Sequence, residues 1–249
     1  MFRQDIKVYS SRRFKFDFER ITDLIKKKEQ FAFARYADGE YLLLNGISVG
    51  KQTQAYQKDK WFSSGNNPVF RQALIESTYH AEPNYFYAIS CRCCDPEGHK
   101  YYINNLQQSK EYITYSNLFI NANYKQFKNF IKSLDEDVVL LAHKNSLKAE
   151  YPFNVLEICP AEEDCVNWYE KNYMQINQEV EALARKYNDK LFLVAIGPLS
   201  EIIIDRMYKV NAKNRYVDVG SALDEWTHSC LTRAYQDENS YYARKRCEL

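Results

Sequence analysis

The chain has 249 residues, of which 45% are hydrophobic, and its 34 Lys and Arg against 33 Asp and Glu give a formal net charge of +1. This composition predicts an ordered globular protein and argues against a general affinity for nucleic acid or an anionic membrane. No apolar run approaches 18 residues, and the sequence begins without the apolar core of a secretory signal. We therefore expect a cytoplasmic protein with no transmembrane segment.

In chain order, short apolar runs alternate with segments of helical spacing. Strands are predicted over 30–36, 85–90, 138–142, 155–159, 191–196 and 216–219, with a β-rich stretch over 112–120. Helices are predicted over 14–29, 40–46, 68–80, 101–111, 124–134 and 198–209, and from Pro160 onward, and a polar loop carrying Trp61 over 48–67. This alternation is typical of an α/β, Rossmann-like fold, with a mostly parallel sheet and helices on both faces. Because no linker or repeat interrupts it, we expect one domain over 1–249, with a core over about 14–226 and a tail over 227–249.

The cysteines are candidates for disulfide bonds or for zinc ligands. Seven cysteines, an odd number, do not favour a disulfide framework. The segment 91–94 (CRCC), with His99 nearby, is compatible with half of a zinc site. The other four, Cys159, Cys165, Cys230 and Cys247, do not form a second pair of comparable spacing. The sequence therefore favours reduced, partly buried thiols.

The first predicted strand ends in charged residues, within the segment 35–40 (RYADGE). Ligands of open α/β sheets bind beyond the carboxyl ends of the strands. On an extended segment Asp38 and Glu40 would point to the same side and could share a divalent cation with substrate phosphates. Gly39 would let a ligand approach the backbone. The alternative is helix capping, with Asp38 as the N-cap and Glu40 near the positive end of the helix dipole.

A second strand end is predicted at Gly197, where Pro198 begins a helix whose first amides can bind phosphate. An ordinary strand-to-helix turn is the alternative. The G-x-G-x-x-G fingerprint and the G-x-x-x-x-G-K-[ST] phosphate loop are both absent from the sequence. This segment is therefore not a standard dinucleotide or P-loop motif.

The last predicted strand carries a charge within an apolar run. Asp218 is unusual there unless it faces a polar crevice or caps a turn. Gly220 and Ser221 follow it directly, and Asp224 lies in the exit loop, within reach of the same pocket. An exit-loop carboxylate is otherwise simply solvated.

Taken in order, these segments resemble the GT-D glycosyltransferases, a Rossmann-like class with an Asp-x-Glu motif. That family has Arg-x-Gly-Asp-Gly-Glu at the first strand end, Cys-Pro before an aromatic helix, and Gly-Pro, Asp-x-Gly and an acidic Trp-containing loop at the end. The similar segments here are 35–40, 158–160 with 168–169, 197–198, 218–220 and 224–226. The resemblance covers about residues 31–226. Ala37 replaces the first glycine, and Ser221 stands where some members have a His.

The resemblance implies transfer of a sugar from a nucleotide-diphosphate donor, with a UDP-sugar expected, to a glycan or a lipid- or protein-linked saccharide. Mn²⁺ or Mg²⁺ held by Asp38 and Glu40 would neutralise the charge that develops on the leaving diphosphate. Asp218 or Asp224 would act as the general base, with His143 as a third candidate. The implied nucleotide-sugar-binding residues are Arg35, Tyr36, Gly39, Gly197, Pro198, Gly220 and Ser221.

Two other functions remain open. One is a module that binds a nucleotide or nucleotide sugar without turnover. The other is an unrelated α/β enzyme, such as a methyltransferase or hydrolase, which the missing glycine-rich loop and G-x-S-x-G turn disfavour. The basic, Tyr-containing tail could cover the acceptor site or touch the inner membrane surface, although a solvated terminus is favoured.

Overall fold

The computed structural model describes residues 11–50, 62–63, 65–227 and 232–249. Trp61, most of the predicted loop over 48–67, and Cys230 lie outside these residues. The strands are Phe31–Tyr36 (β1), Tyr85–Ile89 (β2), Ile113–Tyr115 (β3), Val138–His143 (β4), Val155–Ala161 (β5), Leu191–Ala195 (β6) and Arg215–Asp218 (β7). The helices are Ser11–Lys26 (α1), Asp38–Leu44 (α2), Pro68–Glu76 (α3), Pro96–Asn105 (α4), Tyr124–Lys132 (α5), Cys165–Lys186 (α6), Ser200–Val210 (α7) and Asp224–Thr227 (α8).

The described strands form one seven-stranded sheet in the order β3-β2-β1-β7-β6-β4-β5, and every neighbouring pair is parallel. The predicted α/β fold with a parallel sheet is therefore confirmed. Because all strands run in one direction, their carboxyl ends share one edge of the sheet. The chain returns to the centre at β7, so the last strand lies beside the first.

Helices cover both faces of this sheet. Successive strand side chains point to opposite faces. On one face, Phe33 of β1 contacts Phe119, whose ring packs against Phe18 of α1. On the other, the Tyr36 hydroxyl donates to the Ser77 carbonyl at the end of α3 (2.9 Å), and α7 packs against β1 on this side as well. The central strands are consequently buried from both directions.

Three predicted boundaries differ from the structure. Pro160 does not begin a helix but lies in β5, where an edge strand tolerates a residue that lacks an N–H donor. The next helix, α6, begins at Cys165 after the N-cap Asp164. The β-rich stretch over 112–120 contributes only β3, and α4 begins at Pro96 because Asp95 caps it.

At the amino end of β7, a fully buried arginine joins three segments. The Arg215 guanidinium makes a bidentate pair with Glu136, with N···O distances of 2.7 and 2.8 Å. The guanidinium also donates hydrogen bonds to the Ile25 carbonyl, at 3.2 Å, and to the Asp189 carbonyl. Removing one partner of a buried ion pair leaves the other charge uncompensated.

We therefore expect Glu136→Gln to lower the free energy of unfolding by about 3 kcal/mol, measured by urea denaturation. The neighbouring Asp137 pairs with Lys190 at 3.7 Å on the surface and serves as the matched control. Asp137→Asn should cost less than about 0.5 kcal/mol. Equal losses for the two variants would contradict the structural role of Arg215.

Candidate active site

The carboxyl ends of β1 and β7 meet at Arg35. Its guanidinium lies 3.8 Å from the Asp218 carboxylate, and its Nε donates to the Ser116 carbonyl after β3 at 2.8 Å. Asp218 in turn accepts the Gly220 amide at 2.8 Å. One largely buried cation therefore fixes three segments of the carboxyl edge.

Gly220 is needed for this arrangement. Its φ of +46° lies in the left-handed region, and a Cβ at this position would overlap the Arg35 guanidinium. The predicted site residues Arg35 and Gly220 are therefore in contact with each other.

Three carboxyl groups converge beneath this edge: Glu40 of α2, Glu201 of α7 and Asp218, which are 5%, 1% and 3% exposed. Glu201 was not identified from the sequence, where it resembles an ordinary acid in the first turn of a helix. Its Oε2 is buried and has no hydrogen-bond partner within the described part of the chain. The helix that follows β1, the helix that follows β6 and the end of β7 therefore each contribute one carboxyl group to this buried cluster.

Burial is the main influence on the pKa of Glu201 and of Asp218. Burial, followed by the negative charges of Glu40 and Asp218, raises the pKa of Glu201 well above its ordinary value. Burial also raises the pKa of Asp218 to about 6, although the Arg35 guanidinium opposes this effect. Burial therefore favours the protonated form of Glu201, and Asp218 is the carboxyl group that faces the Arg35 guanidinium.

An open cleft of about 330 Å³ lies beyond the carboxyl ends of β1, β2 and β3. Asp38 lies on its wall and is exposed to solvent. Asp95, the N-cap of α4, is a second carboxylate on the wall that the sequence analysis missed. Its Oδ1 accepts the Gly98 amide at 3.0 Å, whereas Oδ2 is buried without a hydrogen-bond partner among the described residues. An Asp-Pro pair shortly after the predicted strand over 85–90 was the available signal.

The tail forms another wall of the cleft, which it lines with Arg233, Tyr235 and Tyr242. Tyr235 is 6% exposed, and its hydroxyl donates to the Ser221 carbonyl at 2.7 Å. The expectation of a solvated terminus is therefore wrong for Tyr235, Gln236, Cys247 and Leu249, which are buried, whereas Tyr241 and Tyr242 are exposed. Burial of the Tyr235 ring and of Cys247 and Leu249 holds this segment against the body of the protein.

The expected geometry of the Asp-x-Glu pair is wrong. Both residues lie in α2 rather than on an extended segment, and helical residues two apart do not face each other. Asp38 lies in the first turn. Glu40 is buried and accepts the Ala37 amide at 2.8 Å, so the capping role belongs to Glu40. Gly39 is buried within the same helix.

Other predicted site residues lie outside the cleft wall. The Tyr36 side chain is in the core, fully buried, and does not reach the cleft. Gly197, with φ +61°, and the buried Pro198 follow β6, two strands from β1 and thus about 10 Å away. His143, at the end of β4, is three strands or about 14 Å from β1 and is bonded to the Glu162 carbonyl.

Asp224 joins the tail to the core rather than facing the cleft. It accepts the Thr232 hydroxyl at 2.8 Å and lies 3.7 Å from the Arg233 guanidinium. The middle segment of the sequence resemblance, 158–160 with Trp168, lines a separate apolar cavity of about 580 Å³. The Gly197-Pro198 turn and the 158–160 segment therefore both lie outside the cleft that contains Asp38.

Comparison with solved structures bears on the fold. No family model matches the chain, and no curated protein matches it. A solved structure described as the selenomethionine-substituted domain of unknown function 1792 (DUF1792) aligns with a TM-score of 0.53 and 15% identity, over 95% of this chain and 88% of that one. A second structure, described as DUF1792 with "a distinct glycosyltransferase fold", aligns with a TM-score of 0.48 and 14% identity, over 84% and 80%.

The first likeness shows that this chain has the fold of the DUF1792 structure, and at that identity it shows the fold alone. The Rossmann-like architecture that the sequence resemblance implied is therefore confirmed. Across the described ranges of the chain, no helix has the length and apolar character needed to cross a membrane.

The raised pKa of Glu201 predicts a pH-dependent effect of Glu201→Gln. Glu201 contributes stability fully below its unfolded pKa of about 4.3 and loses it as the pH rises toward the raised folded pKa. Gln imitates the protonated form and does not titrate. The free energy of unfolding of the variant should therefore rise relative to that of the wild type by about 1.4 kcal/mol per pH unit above about pH 5. Urea denaturation at several pH values measures this; a constant difference would contradict it.

Proposed function

We propose that the protein is a metal-assisted glycosyltransferase that uses a nucleotide-diphosphate sugar, with UDP as the nucleotide, and a saccharide acceptor. The cleft at the carboxyl ends of β1–β3 carries this proposal. It combines the exposed Asp38, the cation of Arg233 and the half-exposed ring of Tyr242 on one concave surface. Its volume lies at the small end of the range for ligand pockets. The ordered resemblance to GT-D enzymes and the DUF1792 fold support the same class.

The donor set of the cleft fits a divalent cation. Mg²⁺ and Mn²⁺ commonly bind one or two carboxylates and complete their shell with phosphates and water. Asp38 is an exposed carboxylate on the cleft wall, and the wall also includes Asp95, whose buried Oδ2 has no hydrogen-bond partner among the described residues. Glu40 fits less well because it is buried and does not line the cleft, and its Oε2 accepts the Ala37 amide. We therefore assign the cation to Asp38 and Asp95 rather than to Asp38 and Glu40.

Each group has a defined contribution in this scheme. The cation would neutralise the charge that develops on the departing diphosphate. Arg233 would contact phosphate oxygens, and Tyr242 would pack against the base or the sugar. Arg35 would hold the floor of the cleft through Ser116, whose backbone carbonyl it binds, instead of touching the donor directly.

Nucleotide binding with and without metal tests this assignment. We expect UDP to bind in calorimetric titrations only when Mn²⁺ is present. Asp38→Asn and Asp95→Asn should each weaken that binding at least tenfold, about 1.4 kcal/mol. Asn is as good an N-cap as Asp, so the second substitution leaves α4 intact.

Glu40→Gln is the matched control, because Gln preserves the capping acceptor. Its affinity for UDP with Mn²⁺ should stay within about twofold of the wild type. Binding of UDP that is indifferent to metal, or a tenfold loss in Glu40→Gln alone, would contradict the assignment. UDP release from a panel of UDP-sugars then separates transfer from binding: binding without release from any donor would favour the non-catalytic module.

A further inference from the structure

Four cysteine sulfurs meet beside the cleft. The Sγ atoms of Cys91, Cys93, Cys94 and Cys247 all lie within 4.8 Å of one another, and all four thiols are free. The spacing in the sequence did not associate Cys247 with residues 91–94, but the fold brings its sulfur into the same set. His99, which it placed near the set, instead bonds the Ser90 carbonyl at 3.0 Å.

The spacing of the sulfurs fits one tetrahedral ion. Zinc–sulfur bonds of about 2.3 Å place the sulfurs of a tetrahedron about 3.8 Å apart. The Cys91–Cys93 and Cys93–Cys94 sulfur separations are 3.5 and 4.0 Å. A cluster of several irons holds its cysteines further apart, since inorganic sulfide lies between them. We propose that these four cysteines bind one Zn²⁺ in a structural tetrathiolate site.

The surroundings of the sulfurs suit thiolates. Asn117 Nδ2 lies 3.6 to 3.8 Å from the sulfurs of Cys91, Cys94 and Cys247, and Asn121 Nδ2 lies 3.4 Å from that of Cys247. Four thiolates exceed the charge of Zn²⁺, so the bound site would be anionic. Amide donors aimed at the sulfurs are the outer-shell partners that such a site requires.

Lys245 adds a positive charge at the same place. Its ammonium donates to the Cys93 carbonyl at 3.3 Å, and this brings a cation to the edge of the thiol set. The lysine belongs to the tail, as Cys247 does. Compensating charge and the fourth ligand therefore come from one segment.

The backbone holds the tail in the required register. The Arg92 amide donates to the Glu248 carbonyl at 2.9 Å, and the Ala122 amide donates to the Lys245 carbonyl at 3.1 Å. Between these bonds Cys247 is fully buried. The fourth ligand is thus positioned by contacts that do not involve the other three cysteines.

The ion would clamp the tail to the wall of the cleft. Cys91 and Cys94 line the cleft, and so do Arg233 and Tyr242 of the tail. Four thiolates leave no open coordination position, so the zinc would act structurally and not as a Lewis acid. Formation of the cleft and loading of this site would therefore be coupled.

Metal analysis of the untagged full chain tests the site without using any nucleotide. After dialysis against EDTA, the wild type should retain about one zinc per chain. Cys93→Ser, at an exposed position, and Cys247→Ser should lower zinc retention at least tenfold. Cys159→Ser, on β5 and outside the set, is the control and should retain zinc like the wild type.

Four results would overturn the proposal: no zinc in the wild type, iron in its place, a mass loss showing disulfides, or full zinc in Cys93→Ser.

Amide hydrogen exchange tests the clamp itself. Stripping zinc with a mercurial thiol reagent and chelator should speed exchange over 232–249 at least tenfold and leave β1 unchanged. Unchanged exchange in the tail would contradict the clamp. Because neither measurement involves nucleotide or transfer, its failure is distinguishable from failure of the proposed glycosyltransferase activity.

Discussion

The contact of the Arg35 guanidinium with the Gly220 backbone organises the carboxyl edge of the sheet. It joins the end of β1 to the segment after β3 through Ser116 and to the end of β7 through Asp218. Only a residue without a side chain leaves room for the cation at that point. The cation also balances one charge of a buried carboxyl cluster that would otherwise be costly to fold. Arg35 and these carboxyl groups form the floor of the candidate site, and electrostatic attraction holds the floor together.

Above this floor, the cleft is assembled from segments that are distant in sequence. Asp38 follows β1, Asp95 precedes α4, and the tail closes the third side with Tyr235 and Arg233. Arg35, Asp218 and Glu40 are largely buried and each makes a hydrogen bond, whereas the wall contributed by the tail is held by a few contacts, among them those of Tyr235 and Asp224. Fixing the tail thus bears directly on whether the cleft can hold a ligand.

Much of the fold follows from the sequence because five-residue apolar runs such as β2 and β6 mark buried parallel strands. The location of the site at the carboxyl edge follows from the same pattern. The Asp38–Glu40 geometry was mispredicted because residue spacing alone does not show whether the chain stays extended after β1 or enters a helix immediately. The placement of Glu201 and Cys247 was missed because it depends on strand order and on a tail contact, which no local pattern encodes.

We propose that the cleft beside Asp38 receives both the cation and the diphosphate. A crystal structure determined after soaking with MnCl₂ and UDP, with data collected at the manganese edge, tests it most directly. We predict an anomalous peak within coordination distance of Asp38 and a diphosphate bridging it toward Arg233. A nucleotide bound in the apolar cavity beside Trp168, or a manganese peak remote from Asp38, would contradict this placement of the cation and the diphosphate.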